Sequence, residues 1–159
     1  MNTEIEIRLL GEGDAGVLAQ VAPDVFDHAI DPRWGRAFFA DPRHHLVVAL
    51  DGETVVGMIT AVDYVHPDKA PQLWINEVGV APSHQRRGIA RRLLDAMLEH
   101  GRALGCTEAW LGTEETNTPA RRLYESTGAA PEAFVLYSWP LADAPDSTAT
   151  SAQRPLRLA

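Results

Sequence analysis

Two adjoining segments constrain this chain more than any others. An apolar run, Leu73–Val80, is followed by a stretch of helical periodicity, Ile89–Leu104, and the two are joined through Gln85-Arg86-Arg87-Gly88-Ile89-Ala90. Ile89, Leu93, Met97 and Leu104 recur at helical spacing, and Leu94 and Leu98 widen the apolar stripe. Pro82-Ser83 closes the strand, and Gly105 fits the position just past a helix end. The result is a strand–turn–helix junction with a glycine at its bend. Glycine lets a backbone approach a ligand closely, and a helix start offers unpaired N–H groups and a positive dipole end. Together they form a seat for an anion, most often a phosphate. Arg86, Arg87, Arg91 and Arg92 crowd the bend, with no acid between His84 and Arg92. The same residues also fit a surface turn opening an ordinary helix with a solvated basic face, and the spacing alone leaves both readings open.

The rest of the chain divides into short elements. Ile5–Leu10 alternates apolar and charged residues like a half-buried strand. Asp14–Val21 and Pro32–Phe39 suggest short helices, the second capped by Asp31 ahead of Pro32. His45–Leu50 and Thr54–Val65 are β-rich runs joined through Asp51-Gly52, a hairpin signal. His66–Pro71, with two prolines, is expected as a loop, and Thr107–Thr113 as a strand. Thr118 is placed as the cap of a helix with Pro119 at its start and Gly128 at its end, Asn117 being the alternative cap. Phe134–Leu141 is expected as a last strand, with Pro140 marking an edge or end. The order β-α-α-β-β-β-α-β-α-β predicts an α/β chain: a central mixed sheet with helices on both faces. Residues 1–141 form one domain on this reading, and 142–159, rich in Ala, Pro, Ser and Thr, a C-terminal tail.

Charge narrows the partners. The formal net charge is −8, and the four arginines at the bend leave −12 on everything else. Nucleic acid demands a basic footprint, so it is a poor partner here. A cationic small molecule suits an acidic cleft, although acidity can also serve solubility alone. No run approaches the ~18 apolar residues of a membrane span, and three charges within Met1–Leu10 argue against a secretory leader, so a cytoplasmic protein without membrane contact is expected. A lone cysteine, Cys106, allows no internal disulfide.

The segment 85–90 resembles the acyl-CoA loop, Gln/Arg-x-x-Gly-x-Gly/Ala, of the GNAT superfamily of N-acetyltransferases. A second block follows in the order that family uses: Asn117, Ala120, Leu123-Tyr124, then Gly128. The motif match spans about residues 73–128, and the pattern of elements extends it to about 5–141. Within the superfamily the chain resembles bacterial aminoglycoside 3-N-acetyltransferases. The resemblance implies a GNAT fold, acetyl-CoA as co-substrate, and direct transfer to an amine in a ternary complex. It implies that Val78, Gly79 and Val80 hold the pantetheine as an extra strand would, with an amide near Val78 polarising the thioester carbonyl. Gln85, Arg86, Arg87, Gly88, Ile89, Ala90 and Arg91 would hold the pyrophosphate, and Asn117 and Ala120 would contact CoA. Tyr124 matches the tyrosine that protonates the leaving thiolate; a phenol of ordinary pKa near 10 is protonated at neutral pH. Family members often dimerise, so a homodimer is a further expectation.

Acetyl transfer to an amine also needs a base and an acceptor site. Glu77, within the apolar strand and one residue before Val78, is the candidate base, directly or through water. Glu114 and Glu115 follow the next strand and could clamp an amine; Glu114 matches an acidic position in the aminoglycoside-modifying relatives. Asp24, Asp27 and Asp31 form a third acidic group near Trp34, in a region that walls the acceptor cleft in that family. Asp27, Asp31 and Trp34 are the expected contacts there, with Asp31 also wanted as a helix cap. Cys106 is expected to pack, and the six histidines show no metal-ligand spacing, so no metal is expected. Trp74, Trp110 and Trp139 are expected on strands, in core or interface. The leading function is acetylation of an aminoglycoside, with antibiotic resistance as its consequence. Another amine acceptor (polyamine, amino acid or protein N-terminus) is the alternative, and a non-catalytic CoA-binding regulatory domain is a third reading.

Overall fold

Five strands form one mixed sheet in the order β1-β2-β3-β4-β5, in a computed structural model that describes residues 4–142. β1 (Glu6–Leu10) pairs antiparallel with β2 (His44–Asp51), and β2 turns into β3 (Thr54–His66). Asp51 pairs with Thr54 across the expected turn, where Gly52 takes a left-handed φ of +62°. β3 and β4 (Lys69–Val80) form a second, longer antiparallel hairpin. The segment 66–71, expected as a loop, is therefore mostly strand, and the turn shrinks to Pro67 and Asp68. Pro71 is accommodated because the register slips beside it, and its carbonyl accepts from Thr107 N at 3.0 Å.

Between β1 and β2 lie a short 3-10 stretch, Ala15–Ala19, and α1 (Pro32–Ala40). The helix expected over Asp14–Val21 is only that stretch, with Gly16 inside it weakening a helix. α1 starts as expected: the Asp31 carboxylate accepts from Arg33 N at 2.8 Å, and Pro32 opens the helix. After β4 come a 3-10 turn at Pro82–His84, then α2 (Ile89–Ala103), β5 (Glu108–Trp110) and α3 (Thr118–Ser126). β5 runs parallel to β4 and is shorter than the strand expected over 107–113. Phe134–Leu141, expected as a strand, joins no ladder. Its β propensity is high, but propensity supplies no partner. The tail expected over 142–159 lies, from residue 143 on, outside the described residues.

The two faces of the sheet carry different loads. α2 lays Ile89, Leu93, Leu94 and Met97 on one face, all buried. It comes so close that a Cβ on Gly57 of β3 would stand 3.2 Å from methyls of Ile89 and Leu93. Fully burying each such side chain stabilises the fold by about 1.5–3 kcal/mol. α3 is tied to α2 through Arg91, which donates to Ser126. On the opposite face, Leu46, Thr60 and Glu77 form a cross-strand row that meets α1. Among the described residues, no helix is long and apolar enough to cross a membrane.

Beneath the last turns of α2 a polar chain runs Asp63 Oδ1 to His45 Nε2 (2.6 Å), then His45 Nδ1 to His100 Nε2 (2.9 Å). His45 is buried, and burial together with the neighbouring His45 pushes the His100 imidazole below its ordinary pKa, against a smaller opposing pull from Asp63. The unfolded chain therefore takes a proton at His100 before the folded one does. The stability this imidazole contributes is complete above an ordinary histidine pKa of about 6.5 and is lost as pH falls towards the depressed folded value. The thermal midpoint is expected to drop between pH 7.5 and pH 5.5, and His100→Asn to flatten that slope. An unchanged slope in the variant would remove His100 as its source.

Candidate active site

The candidate site is built around the point where β4 and β5 part. Their ladder covers three register pairs, from Gln72 with Glu108 to Trp74 with Trp110, and β4 then runs on to Val80 bonded to β3 alone. One extra residue in β4, Asn76, sits where the register shifts between Thr60 and Ala61, and such a bulge bends its strand. Val78, Gly79 and Val80 lie on this stretch, all buried, with their β5-side edge outside any ladder. The edge of a strand is a row of N–H and C=O groups, and this one has the chemistry to pair with an extended, amide-bearing segment.

At the end of β4 the bend is held from several sides. His84 Nε2 lies 3.0 Å from the Asp51 carboxylate, and Gln85 Nε2 donates to the Val80 carbonyl at 3.2 Å. Arg86 has a φ of +58° and Gly88, the N-cap of α2, one of +75°. Nothing lies within 4 Å of where a Gly88 Cβ would be. Among the described residues, the N–H groups of Arg86 to Arg91 donate to no backbone carbonyl. A helix start leaves such groups unpaired, and they carry the positive end of the dipole. Ile89 is buried against the sheet and Ala90 half-buried.

The four arginines divide their duties. Arg91 pairs with Asp95 at 3.0 Å and reaches Ser126, and Arg92 donates to the Ile5 carbonyl at 3.0 Å. Arg86 and Arg87 are exposed and make no ion pair among the described residues. The side-chain charge facing the bend thus comes from two arginines rather than four.

α3 follows β5 through the loop 111–117. Asn117, not Thr118, is its cap: the Asn117 side chain accepts from Ala120 N at 3.3 Å, and Ala120 is buried. Seven residues on from Asn117, Tyr124 is 7% exposed, and its hydroxyl is buried without a partner. Burial raises the Tyr124 phenol to about 12, so it keeps its proton throughout the neutral range. Thr113, just past β5, has a second buried hydroxyl without a partner. The sequence offered no signal for Thr113 beyond its place at the end of an expected strand.

On the opposite face of β4, Leu18, the loop 26–31 and α1 residues roof a cleft of about 310 Å³. Asp27, Asp31, Trp34 and Glu77 all line it, with Phe38 and Thr60. The acidic loop reaches this position because Val21 bridges to Val55, Ala22 N donates to Val55 O at 2.9 Å, and Val25 is buried. Gly79 makes the docking possible, since any Cβ there would run into the Val25 carbonyl. Asp24 takes a φ of +62° beside that anchor, a conformation Asp tolerates better than most residues. Trp34 is 62% exposed with the Arg33 guanidinium 4.2 Å over its ring. Glu114 and Glu115 are exposed in the loop before α3 and do not line the cleft, so the structure separates them from Asp27, Asp31 and Glu77.

The model of the Acetyltransferase (GNAT) family matches residues 18–129, from the cleft loop through α3. The chain is 30% identical over 128 residues to the N-alpha-acetyltransferase RimI of Mycobacterium tuberculosis, a match covering 78% of this chain and 77% of that one. It is 34% identical over 85 residues to a mycothiol acetyltransferase of Saccharopolyspora erythraea, covering 54% of this chain and 27% of the relative. The chain thus spans about a quarter of the length of the mycothiol acetyltransferases it matches. An aminoglycoside acetyltransferase, meta-AAC0020 from an uncultured soil metagenomic sample, solved in complex with sisomicin, superposes with a TM-score of 0.76. That superposition is at 20% identity and covers 87% of this chain and 97% of the other, so the likeness is one of fold.

A buried hydroxyl with no partner costs about 1–3 kcal/mol in desolvation. Tyr124→Phe is therefore expected to stabilise the ligand-free protein by about 1 kcal/mol, seen as a higher urea midpoint at unchanged slope. A lower midpoint would mean that the hydroxyl is held for structure.

Proposed function

The chain belongs to the GNAT acetyltransferase family, and from that premise we propose that it is an acetyl-CoA-dependent N-acetyltransferase acting on an aminoglycoside, at its 3-amino group. The acceptor class rests on the cleft in which Asp27, Asp31 and Glu77 meet Trp34 and Phe38. Carboxylates attract ammonium groups, and aromatic walls take the apolar faces of a ring. A volume near 310 Å³ is at the low end for small-molecule sites, enough for one amino-sugar ring with the others extending outwards. The net charge of −8 draws a polycation towards the protein from a distance. The fold shared with an acetyltransferase bound to sisomicin supports the same class.

The residues around the gap fit acetyl-CoA, which when bound supplies an activated thioester. The free edge of β4 at Val78, Gly79 and Val80 would hold an extended pantetheine arm. Backbone amides from Arg86 to Arg91 would hold the diphosphate, with Gln85 fixing the turn and Arg86 and Arg87 adding charge. Asn117 and Ala120 shape the start of α3 on the far side of the gap. Tyr124 holds a proton at Oη, in reach of a sulfur leaving group. Glu77, in the cleft, takes the proton of the acceptor ammonium directly or through water, and the Val78 amide polarises the carbonyl beside it. Glu114 and Glu115 would meet only those parts of an acceptor that extend beyond the cleft. Most of the rate then comes from holding two substrates on two sides of one strand.

A protein or peptide α-amine is the second reading, favoured by the match to the N-alpha-acetyltransferase RimI along most of both chains. Thiol release from acetyl-CoA across an amine panel separates the readings. Turnover with gentamicin but not with spermidine or peptides supports the first, and product analysis then fixes the 3-position. Turnover with peptides alone would overturn it.

Two substitutions test the machinery. Gly88→Val forces a β-branched side chain into a left-handed position facing open space, and is expected to weaken acetyl-CoA binding at least about tenfold, while a strain of about 1–2 kcal/mol lowers the melting temperature by only several degrees. Unchanged affinity would remove the bend from the site. Tyr124→Phe is expected to lower kcat by about a hundredfold while acetyl-CoA affinity stays within about twofold; full turnover would end its role as acid.

A further inference from the structure

The floor of the acidic cleft continues beyond the residues that line it. On the sheet face opposite α2, side chains stand in cross-strand rows, and Leu46, Thr60 and Glu77 form the row inside the cleft. The next row on that face is His44, Val62, Trp74 and Trp110. It lies two residues further along β2 and β3, a step of about 7 Å. Leu73 fixes which face this is: it meets Gly101 of α2, so Trp74 beside it points away from that helix.

This second row ends in an aromatic surface. α1 reaches its near end, where Phe38 stacks on His44 with ring centroids 5.2 Å apart. Further along, Trp74 and Trp110 stack on each other at 5.1 Å, only 11° from parallel, and each is 42% exposed. β5 ends the strand order, so no strand carries the face past Trp110. A third row borders the pair: Tyr64 Oη donates to Gln72 Oε1 at 2.7 Å, and Gln72 Nε2 donates to Glu108 Oε2 at 2.6 Å. That row closes on an exposed carboxylate. Two indoles stacked with this much area in water are poorly explained as core filling. A flat π-surface beside a carboxylate has the chemistry of an amino-sugar subsite, with indole faces for C–H groups and for ammonium groups.

We propose that Trp74 and Trp110 form a second acceptor subsite, which takes an outer ring of an aminoglycoside whose reacting ring sits in the cleft. Glu108 supplies negative charge for an ammonium group on that outer ring. The inference rests on the aminoglycoside reading of the acceptor and says where the rings that the cleft cannot hold are received. A cleft of about 310 Å³ takes one ring, and the indole pair begins one row further on along the same face. The subsite adds no chemical step. It selects acceptors of several rings over single-ring amines, acting on binding rather than on turnover.

Calorimetry and steady-state kinetics with gentamicin, of three rings, and 2-deoxystreptamine, its one-ring core, read the outcome. Trp110→Ala is expected to raise the gentamicin Kd and KM about fivefold, with kcat, the acetyl-CoA KM and the 2-deoxystreptamine Kd all within about twofold. Trp110→Phe keeps a ring and is expected to recover most of the loss. Gentamicin turnover with an unchanged KM in Trp110→Ala overturns the subsite and leaves the aminoglycoside reading standing. An equal loss for both ligands also overturns it, because the cleft itself has then been disturbed. A wild-type protein that neither binds nor acetylates gentamicin overturns both. Where Trp110→Ala does not fold or 2-deoxystreptamine binds too weakly to measure, the wild-type indole N–H resonances decide. Those of Trp74 and Trp110 are expected to shift at saturating gentamicin, and unmoved resonances overturn the proposal.

Discussion

The structure turns on the parting of two parallel strands. Backbone N–H and C=O groups away from water are almost always paired, because leaving one unmade costs as much as a hydrogen bond gives. Here β4 gives up its β5 neighbour after Trp74 and continues to Val80, buried from Val78 on. It can do so because its other edge is fully bonded to β3 and because Val78 and Val80 are packed among core residues. The bulge at Asn76 sits where the two strands part, and the Tyr124 and Thr113 hydroxyls, both later in the chain, are buried without partners. The protein thus keeps an unladdered strand edge and two unpartnered buried hydroxyls.

The same strand organises the acidic cleft. Alternation along β4 sends Val78 towards α2 and Glu77 and Gly79 towards α1. With no side chain at position 79, the loop carrying Asp27 and Asp31 can dock through Val25 and stand opposite Glu77. Negative groups therefore gather on one face, whereas Arg86, Arg87 and the start of α2 place positive charge at the strand's end. Two more arginines would strengthen that end, but Arg91 is engaged by Asp95 and Arg92 by the Ile5 carbonyl, where they fasten α2 to its neighbours.

Local chemistry was legible in the sequence wherever it was self-contained. Asp51-Gly52 specifies its own turn, Asp31-Pro32 its own helix start, and Gly88 its own left-handed bend, so all three could be read without a fold. The family motifs carried the fold itself further than periodicity could. What was missed depended on partners. Pro67 and Pro71 suggested a loop, but a register slip let Pro71 sit in a strand. Thr118 and Asn117 both suit a cap, and only backbone geometry chose Asn117. Glu114 and Glu115 follow a strand that was expected to reach Thr113, yet its ladder stops at Trp110 and leaves them outside the cleft. Phe134–Leu141 has the composition of a strand and no strand beside it.

These misses share a cause with the site. A sheet is specified residue by residue only where both neighbours are present, and this one lacks a neighbour twice: inside, between β4 and β5, and outside, along β5. Both absences raise the free energy of the isolated, ligand-free chain, through unpaired polar groups in one case and exposed apolar surface in the other. Whatever fills them is coupled to folding, since a ligand at a hundred times its Kd stabilises the native state by about 2.7 kcal/mol. That is a large share of the ~5–15 kcal/mol that keeps a domain folded. An enzyme built this way gives up stability when empty in order to keep a donor groove open and shaped. The buried Tyr124 hydroxyl marks that exchange most directly, because it is costly in the empty protein and, under the proposed function, is put to use only beside a reacting sulfur.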